Sequence, residues 1–310
     1  MNKIPIVFAF DNNLILPACV SISSLLMNAY KDTFYDIFIL HPQIDFDGRD
    51  KLDELCKYFP HCQVRYIAIG NEFNNALEIR GITQPTYYRL LIPELIHEYK
   101  KVIYADVDII FQMDLSEVYA INLDGFYLAA CQDWGIMFSE KKHVKEVTGL
   151  PTSLYFSAGF IMLNNELLLK DKLVDSFKKL STQNWIYQDQ DILNTVCKEK
   201  IYTLPCYYNM MVSSFHFLIN TPEYLKSICP NIKIGRLYKN CNFHYNGSKP
   251  WNGYCINFDI WWEYYRKSPF FDEKFYFDFF VKKSNEQDRF SLWKRIKLLV
   301  RYFVYGQIKD

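Results

Sequence analysis

Short apolar segments alternate with segments of helical periodicity along the chain, and this alternation restricts the folds available to it. The apolar segments are rich in strand-forming residues, and the segments between them repeat apolar residues at helical spacing. We predict strands at residues 4–10, 35–40, 63–69, 101–104, 126–130 and 159–164, and helices at 16–29, 47–59 and 166–180. Such alternation predicts an α/β protein with a mixed, mostly parallel sheet flanked by helices.

The composition indicates a globular protein with a sizeable core. Of its 310 residues 50% are hydrophobic, which suits one large domain or two smaller ones. The 35 basic and 35 acidic residues balance, so we expect no nucleic-acid partner. No apolar run approaches the roughly 18 residues of a membrane span, and the first residues lack a secretory signal pattern. We therefore expect a cytoplasmic protein.

Asp106 and Asp108 follow directly after the predicted strand at 101–104. Two residues apart on an extended segment, their side chains point to the same side. Burying both without a partner costs several kcal/mol each, and a hard divalent cation removes that cost. The alternative is a solvated strand end with a salt bridge. The nine cysteines include no Cys-x-x-Cys pair, which favours reduced thiols and a metal site built from carboxylates and histidines.

Polar residues also crowd the segment 185–194 and the segment 84–96. The first contains Gln188, Asp189, Gln190 and Asp191. An acidic residue at a helix N-terminus accounts for one of its aspartates, and the remaining residues suit a ligand. The second segment places Arg89 on a predicted helix, where it serves either a surface salt bridge or the oxygens of a phosphate.

The turn-rich loop 242–254 carries three further candidates. His244 can ligate a metal, Gly247 permits a close approach of the backbone to a ligand, and Lys249 suits a phosphate. The alternative for each is an ordinary surface residue. No phosphate-loop or dinucleotide-binding glycine pattern follows the first strand, which argues against P-loop enzymes and Rossmann dehydrogenases.

Taken together, six segments of the chain resemble glycosyltransferase family 8, whose retaining transferases include bacterial lipopolysaccharide galactosyl- and glucosyltransferases. These segments are IVFAFDNN, TYYRLLIPELI, KVIYADVDII, YFSAGFIMLNN, YQDQDILN and HYNGSKPW. They occur in the family's order over about residues 4–255. The resemblance implies a glycosyltransferase A-type fold with a Rossmann-like sheet.

The resemblance also implies roles for individual residues. The residues implied to contact a UDP-sugar donor are Ala9, Asp11, Asn12, Arg89, Gly247 and Lys249. Those implied to bind Mn²⁺, or Mg²⁺ in its place, are Asp106, Asp108 and His244. Those implied to surround the transferred sugar are Asp133, Ser157, Asp189 and Gln190, with Gln190 beside the anomeric carbon. The family commonly has asparagine at the position of Ser157, and the shorter hydroxyl reaches less far toward the sugar.

The implied reaction moves galactose or glucose from a UDP-sugar to a hydroxyl of a glycan acceptor such as lipopolysaccharide or lipooligosaccharide. A carboxamide is a poor nucleophile, so Gln190 favours front-face attack by the acceptor. Asp189 would be the nucleophile of a double displacement. Two alternatives stay open: a glycogenin-like enzyme that glycosylates its own tyrosine, and a nucleotide-sugar binding protein without transfer activity.

The last 22 residues, 289–310, form a second pattern, with six Lys or Arg residues and one Asp. On a helical wheel the apolar residues share one side, which predicts a basic amphipathic helix at a membrane surface. The alternative is a helix docked on its own domain. We predict a catalytic domain at 1–255 and an extension at 256–310 that binds an anionic membrane. The protein would then be peripheral on the inner face of the cytoplasmic membrane, near a lipid-linked glycan acceptor.

Overall fold

A computed structural model describes residues 2–74, 76, 78, 84–149, 154–221, 223 and 240–305. The chain divides into two compact units, Met1–Pro269 and Phe270–Asp310. The functional division predicted at residue 255 stays a prediction, since this boundary between compact units says nothing about what either part does.

The first unit is built on two sheets. The strands are β1 (Asn2–Ala9), β2 (Thr33–His41), β3 (Cys62–Ala68), β4 (Lys101–Ala105), β5 (Ile109–Ile110), β6 (Leu128–Gln132), β7 (Phe156–Asn164), β8 (Ile201–Thr203), β9 (Met210–Met211) and β10 (Phe243–His244). The large sheet has the order β3-β2-β1-β4-β7-β6-β8. Its strands are parallel to their neighbours except β7, which is antiparallel to both β4 and β6. The predicted mostly parallel, mixed sheet is therefore confirmed.

Helices occur in both units. They are α1 (Ile15–Met27), α2 (Phe46–Tyr58), α3 (Ile92–Leu95), α4 (Ser116–Tyr119), α5 (Trp134–Ser139), α6 (Lys141–Thr148), α7 (Asn165–Lys170), α8 (Leu173–Leu180), α9 (Gln188–Cys197), α10 (Val212–Asn220), α11 (Phe258–Lys267), α12 (Glu273–Asp288) and α13 (Leu292–Tyr305). Helices α1 to α11 belong to the first unit, and α12 and α13 to the second. Short 3-10 helices occur at Asn12–Leu14, Gln84–Leu91 and Cys206–Tyr208.

Two helical predictions were wrong in detail. The single helix predicted at 166–180 is two helices, because Lys172 between them adopts a left-handed backbone with φ of 55°. The segment that carries Arg89 is mainly a 3-10 helix, and only Ile92–Leu95 is α-helical.

The core explains why the first strand is apolar at nearly every position. Ile4, Ile6, Val7 and Phe8 of β1 are fully buried, as expected of a central strand covered on both faces. At the carboxyl end of this strand and of β4, the chain leaves the core and presents polar residues. Val7 pairs with Tyr104, so Ala9 and Asp106, each two residues further along, leave the sheet at the same edge.

The small sheet determines which distant segment meets that edge. Its order is β5-β10-β9, and β10 pairs with β5 so that His244 lies opposite Ile109. The Tyr245 amide also donates to the Asp108 carbonyl oxygen over 3.0 Å. These backbone bonds bring a late loop of the chain next to the segment that follows β4.

The second unit contains α12 and α13. Among the side chains described in α13, Leu292 is 72% and Trp293 80% exposed. Over the part of the chain that the structure describes, no helix combines the length and the apolar character that crossing a membrane requires.

Candidate functional site

Two carboxylates and one imidazole converge beside the carboxyl end of β4. His244 Nε2 lies 3.1 Å from Asp108 Oδ1 and 3.7 Å from Asp106 Oδ2. One ligand atom from each of the three residues can be chosen so that all lie within 4.8 Å of one another. Oxygen and imidazole ligands at this spacing suit a hard divalent cation such as Mn²⁺ or Mg²⁺.

Gly159 of β7 lies directly against this cluster. The Asp106 amide donates to the Gly159 carbonyl oxygen over 2.8 Å. A Cβ placed on Gly159 would lie 2.3 Å from His244 Cε1 and 2.8 Å from Asp106 Oδ2. The three groups can therefore meet only because this position has no side chain. The sequence analysis did not single out Gly159, although a glycine inside a buried strand indicates a close approach by another group.

The electrostatics keep Asp108 ionised. Burial favours the neutral acid, but the positive charge of Lys249 outweighs it and holds the pKa of Asp108 well below its usual range. Lys249 Nζ contacts Asp108 Oδ2 and donates to the Tyr245 carbonyl oxygen over 2.7 Å. Asp108 Oδ1 is buried and has no hydrogen-bond partner among the described residues. An anionic oxygen without a donor, facing an imidazole and a second carboxylate, fits a bound cation.

Arg89 links the cluster to a second group of polar residues. It is only 4% exposed, and its Nη2 lies 2.9 Å from Asp106 Oδ1. Its Nε lies 3.0 Å from Asp189 Oδ2, while the Nε–H donates to the Thr86 carbonyl oxygen. The ion pair is thus buried, not on the surface. These contacts are with the protein itself, and the implied contact of Arg89 with a donor stays a prediction.

Asp189 and Gln190 lie at the start of α9, directly after Gln188, whose φ of 45° is left-handed. Burial raises the pKa of Asp189 to about 7, although Arg89 acts in the opposite direction. Gln190 Oε1 accepts from the Ala158 amide over 2.9 Å, and its Nε2 lies 3.3 Å from Asp133 Oδ2. Gln190 and Asp133 are therefore neighbours.

Asp133 is buried too, and burial raises its pKa. Its Oδ1 accepts from the Ile136 amide and so caps α5. Only Oδ2 faces Gln190, so one carboxylate both begins a helix and faces the site.

Asp191 holds the turn that presents these residues. It is fully buried and accepts from the Tyr187 amide over 2.8 Å and from the Tyr155 hydroxyl. His143 Nε2 lies 2.9 Å from the same carboxylate. Of the aspartates in this segment, Asp191 thus has the structural role near a helix start that the sequence had left open for one of them.

The remaining predicted residues lie in loops or beneath the cluster. Asp11 Oδ1 accepts from the Asn13 amide and Asn12 Oδ1 from the Asp45 amide, so both side chains stabilise the loop after β1. Ala9, the last residue of β1, is half-buried. A Cβ placed on Gly247 meets no protein atom within 4 Å. Any requirement for glycine at this position therefore comes from something other than packing within the described protein.

Ser157 is buried beneath the cluster. Its Oγ accepts from the Gly159 amide over 3.2 Å and from Asn209 Nδ2 over 3.1 Å. Asn209, which the sequence analysis did not consider, also contacts His244. No local pattern in the sequence indicates this residue.

Comparison with known structures defines the class of fold. The galactosyltransferase LgtC, solved with donor and acceptor sugar analogs, is 25% identical, with a TM-score of 0.73 over 87% of this chain and 98% of LgtC. The bifunctional glycosyltransferase WbbM is 22% identical, with a TM-score of 0.70 over 91% of this chain and 52% of WbbM. The chain thus has the glycosyltransferase A-type fold, and this prediction is confirmed.

The sequence comparisons define the family. The model of glycosyl transferase family 8 matches residues 5–255, and the chain belongs to this family. A candidate glycosyltransferase of Haemophilus influenzae is 32% identical over 206 residues, which are 63% of this chain and 60% of the relative. General stress protein A of Bacillus subtilis is 25% identical over 274 residues, 84% of this chain and 87% of that protein. The chain therefore spans less than two thirds of the first relative and most of the second.

Proposed function

We propose that this glycosyltransferase is a metal-dependent, retaining enzyme that transfers galactose or glucose from a UDP-sugar to a hydroxyl of a glycan. The observation that carries the proposal is the convergence of Asp106, Asp108 and His244 over Gly159. A divalent cation held by these residues would stabilise the negative charge that develops on the departing UDP. The name of LgtC as a galactosyltransferase supports galactose as the first sugar to test.

Lys249 is the second cationic group of the proposed donor site. In the structure its ammonium group contacts Asp108, so a positive charge already lies beside the metal ligands. The side chain is 30% exposed, which leaves it free to turn toward a diphosphate that enters the site. Its positive charge would then stabilise the negative charge that develops on the leaving group.

The reaction exchanges one C–O bond for another on the same face of the sugar. The bond between the anomeric carbon and the UDP oxygen breaks, and its electron pair leaves with UDP. The acceptor oxygen bonds to the anomeric carbon, and its proton passes to the departing phosphate oxygen. Gln190 and Asp133 would bind sugar hydroxyls, since a carboxamide and a carboxylate supply directed donors and acceptors. Asp189 would be the nucleophile if a covalent intermediate formed, and burial of this carboxylate supports the front-face reaction.

A donor screen tests this proposal. UDP release is measured with UDP-galactose, UDP-glucose, UDP-GlcNAc and UDP-GalNAc, in Mn²⁺ and in chelator. We expect release with galactose or glucose donors in Mn²⁺ only, and a loss of this activity in Asp108→Ala. The exposed Asp50→Ala is the matched control. Full activity of Asp108→Ala in chelator would refute the metal role, and a mass increase of the enzyme itself would favour the glycogenin-like alternative.

We also propose that the second unit binds an anionic membrane surface, which would bring the enzyme to a lipid-linked acceptor such as lipopolysaccharide. The exposed apolar side chains Leu292 and Trp293 and the basic residues of 289–310 support this. Each basic residue near an anionic surface contributes about 1 kcal/mol. Removal of residues 289–310 should abolish binding to vesicles that contain anionic lipid. The full chain should not bind vesicles made only of zwitterionic lipid. Unchanged binding of the shortened chain to anionic vesicles would contradict the proposal.

A further inference from the structure

We propose that Asn209 is a positioning residue that fixes the tautomer of His244, so that Nε2 offers a lone pair to a metal. The proposal rests on the proposed metal site. Asn209 Oδ1 lies 2.9 Å from His244 Nδ1. Asn209 is 1% and His244 4% exposed, so water does not compete freely for this contact.

The small sheet holds the two residues side by side. Asn209 directly precedes β9, and β9 runs parallel to β10, with Met211 opposite His244. The Met210 amide donates to the Asn242 carbonyl oxygen over 2.8 Å. The backbone therefore sets the position of Asn209 independently of its side chain, and a substitution of the side chain leaves these bonds in place.

The neighbour on the other side of Asn209 determines which way its amide points. Asn209 Nδ2 donates to Ser157 Oγ over 3.1 Å, which leaves Oδ1 directed at the imidazole. An amide oxygen can only accept, so the ring nitrogen that faces it must carry the proton. In a neutral imidazole the other nitrogen is then unprotonated.

That other nitrogen is the one that faces the carboxylates. His244 Nε2 lies 3.1 Å from Asp108 Oδ1 and 3.7 Å from Asp106 Oδ2. If Nε2 carried the proton instead, it would have no lone pair to offer to a cation between the carboxylates. The chain of contacts from Ser157 through Asn209 to His244 thus prepares the imidazole as a ligand, in the way that outer carboxylates and carbonyls orient metal-bound histidines.

This arrangement also gives Ser157 a role in this chain. Its hydroxyl lies beneath the site and is used by the Gly159 amide and by Asn209. Ser157 therefore orients the Asn209 amide, whether or not it also reaches the sugar.

The test reads the tautomer directly. Protein labelled with ¹⁵N-histidine is studied without metal at alkaline pH, where long-range ¹H–¹⁵N spectra distinguish protonated from unprotonated ring nitrogens. Titration with Mn²⁺ by calorimetry measures affinity separately. We expect the wild type and Asn209→Asp to carry the His244 proton on Nδ1. Asn209→Leu should lose this preference, and its Mn²⁺ affinity should fall about 10- to 100-fold. Asn165 is the matched control, because it is also a buried amide but donates to the backbone carbonyl oxygens of Ile96 and Tyr99. Asn165→Leu should change neither the tautomer of His244 nor the affinity for Mn²⁺.

Each outcome has a distinct meaning. A proton on Nε2 in the wild type, or an unchanged tautomer and affinity in Asn209→Leu, would overturn the inference. If the wild type has the proton on Nδ1 and Asn209→Leu loses it, but neither binds Mn²⁺, the inference on the tautomer stands and the proposed metal function fails. If Asn209→Leu does not fold, Ser157→Ala serves instead. Loss of the Ser157 hydroxyl should let the Asn209 amide adopt both orientations and should mix the two tautomers, and a single Nδ1 tautomer in Ser157→Ala would contradict the proposal.

Discussion

Replacement of Gly159 by alanine tests whether the close approach at the metal cluster underlies the activity. The added Cβ would lie 2.3 Å from His244 Cε1, whereas carbon atoms in contact are about 3.5 Å apart. The imidazole must therefore retreat by about 1 Å, which far exceeds the roughly 0.2 Å tolerance of metal–ligand distances. Overpacking costs about 1–3 kcal/mol, and the lower backbone entropy of unfolded alanine offsets about 0.5–1 kcal/mol.

The expected result is a protein that folds but binds metal poorly. We expect Gly159→Ala to lose at most about 2.5 kcal/mol in urea unfolding. A 1 Å displacement near the chemistry should lower transfer about 100-fold, and Mn²⁺ affinity should fall with it. Gly70→Ala is the matched control, since its Cβ would lie 3.4 Å from the exposed side chain of Glu72. Wild-type Mn²⁺ affinity in Gly159→Ala would refute the reasoning.

Three further predictions follow from buried charges and from the backbone. Asp189 keeps its proton up to about pH 7 in the folded state but loses it near the ordinary pKa of 3.8 when unfolded, so stability falls as pH rises between these values. Asp189→Asn should remove this loss, which amounts to about 4 kcal/mol of unfolding free energy between pH 4 and pH 7. Urea unfolding with chelator measures it, and an unchanged pH dependence would contradict the assignment. Arg89→Met leaves Asp106 and Asp189 without their cation and should cost about 3–5 kcal/mol in urea unfolding at pH 8, where both carboxylates are ionised in the wild type. A loss below about 1 kcal/mol would be incompatible with a buried pair. Lys172→Gly relieves a left-handed φ of 55° and should raise stability by about 0.5 kcal/mol, whereas a loss would show that Lys172 makes contacts that outweigh the strain.

Parts of the site could be predicted because they depend on local sequence. Asp106 and Asp108 stood out since they follow a buried apolar strand, and they lie at the strand end as expected. The turn-rich loop offered His244 as a possible metal ligand, but only the resemblance joined it to the two aspartates, because 136 positions separate it from Asp108 and no periodicity connects them. The burial of Arg89 was not predicted, because a single cation on an otherwise apolar helix was expected to form a surface salt bridge or to contact a phosphate.

The sequence by itself indicated six of the ten strands described, the mostly parallel sheet and the edge at which the polar residues gather. These depend on periodicity and on the burial of apolar side chains, which adjacent residues encode. The tertiary structure decided that Gly159 makes room for the cluster, that Arg89 joins Asp106 to Asp189, and that Asn209 faces His244. Such contacts require segments that are far apart in the chain to be positioned to within a few tenths of an ångström. Pairing between β5, β9 and β10 brings His244 and Asn209 to the site, and each of these strands has only two residues, too few for a sequence pattern.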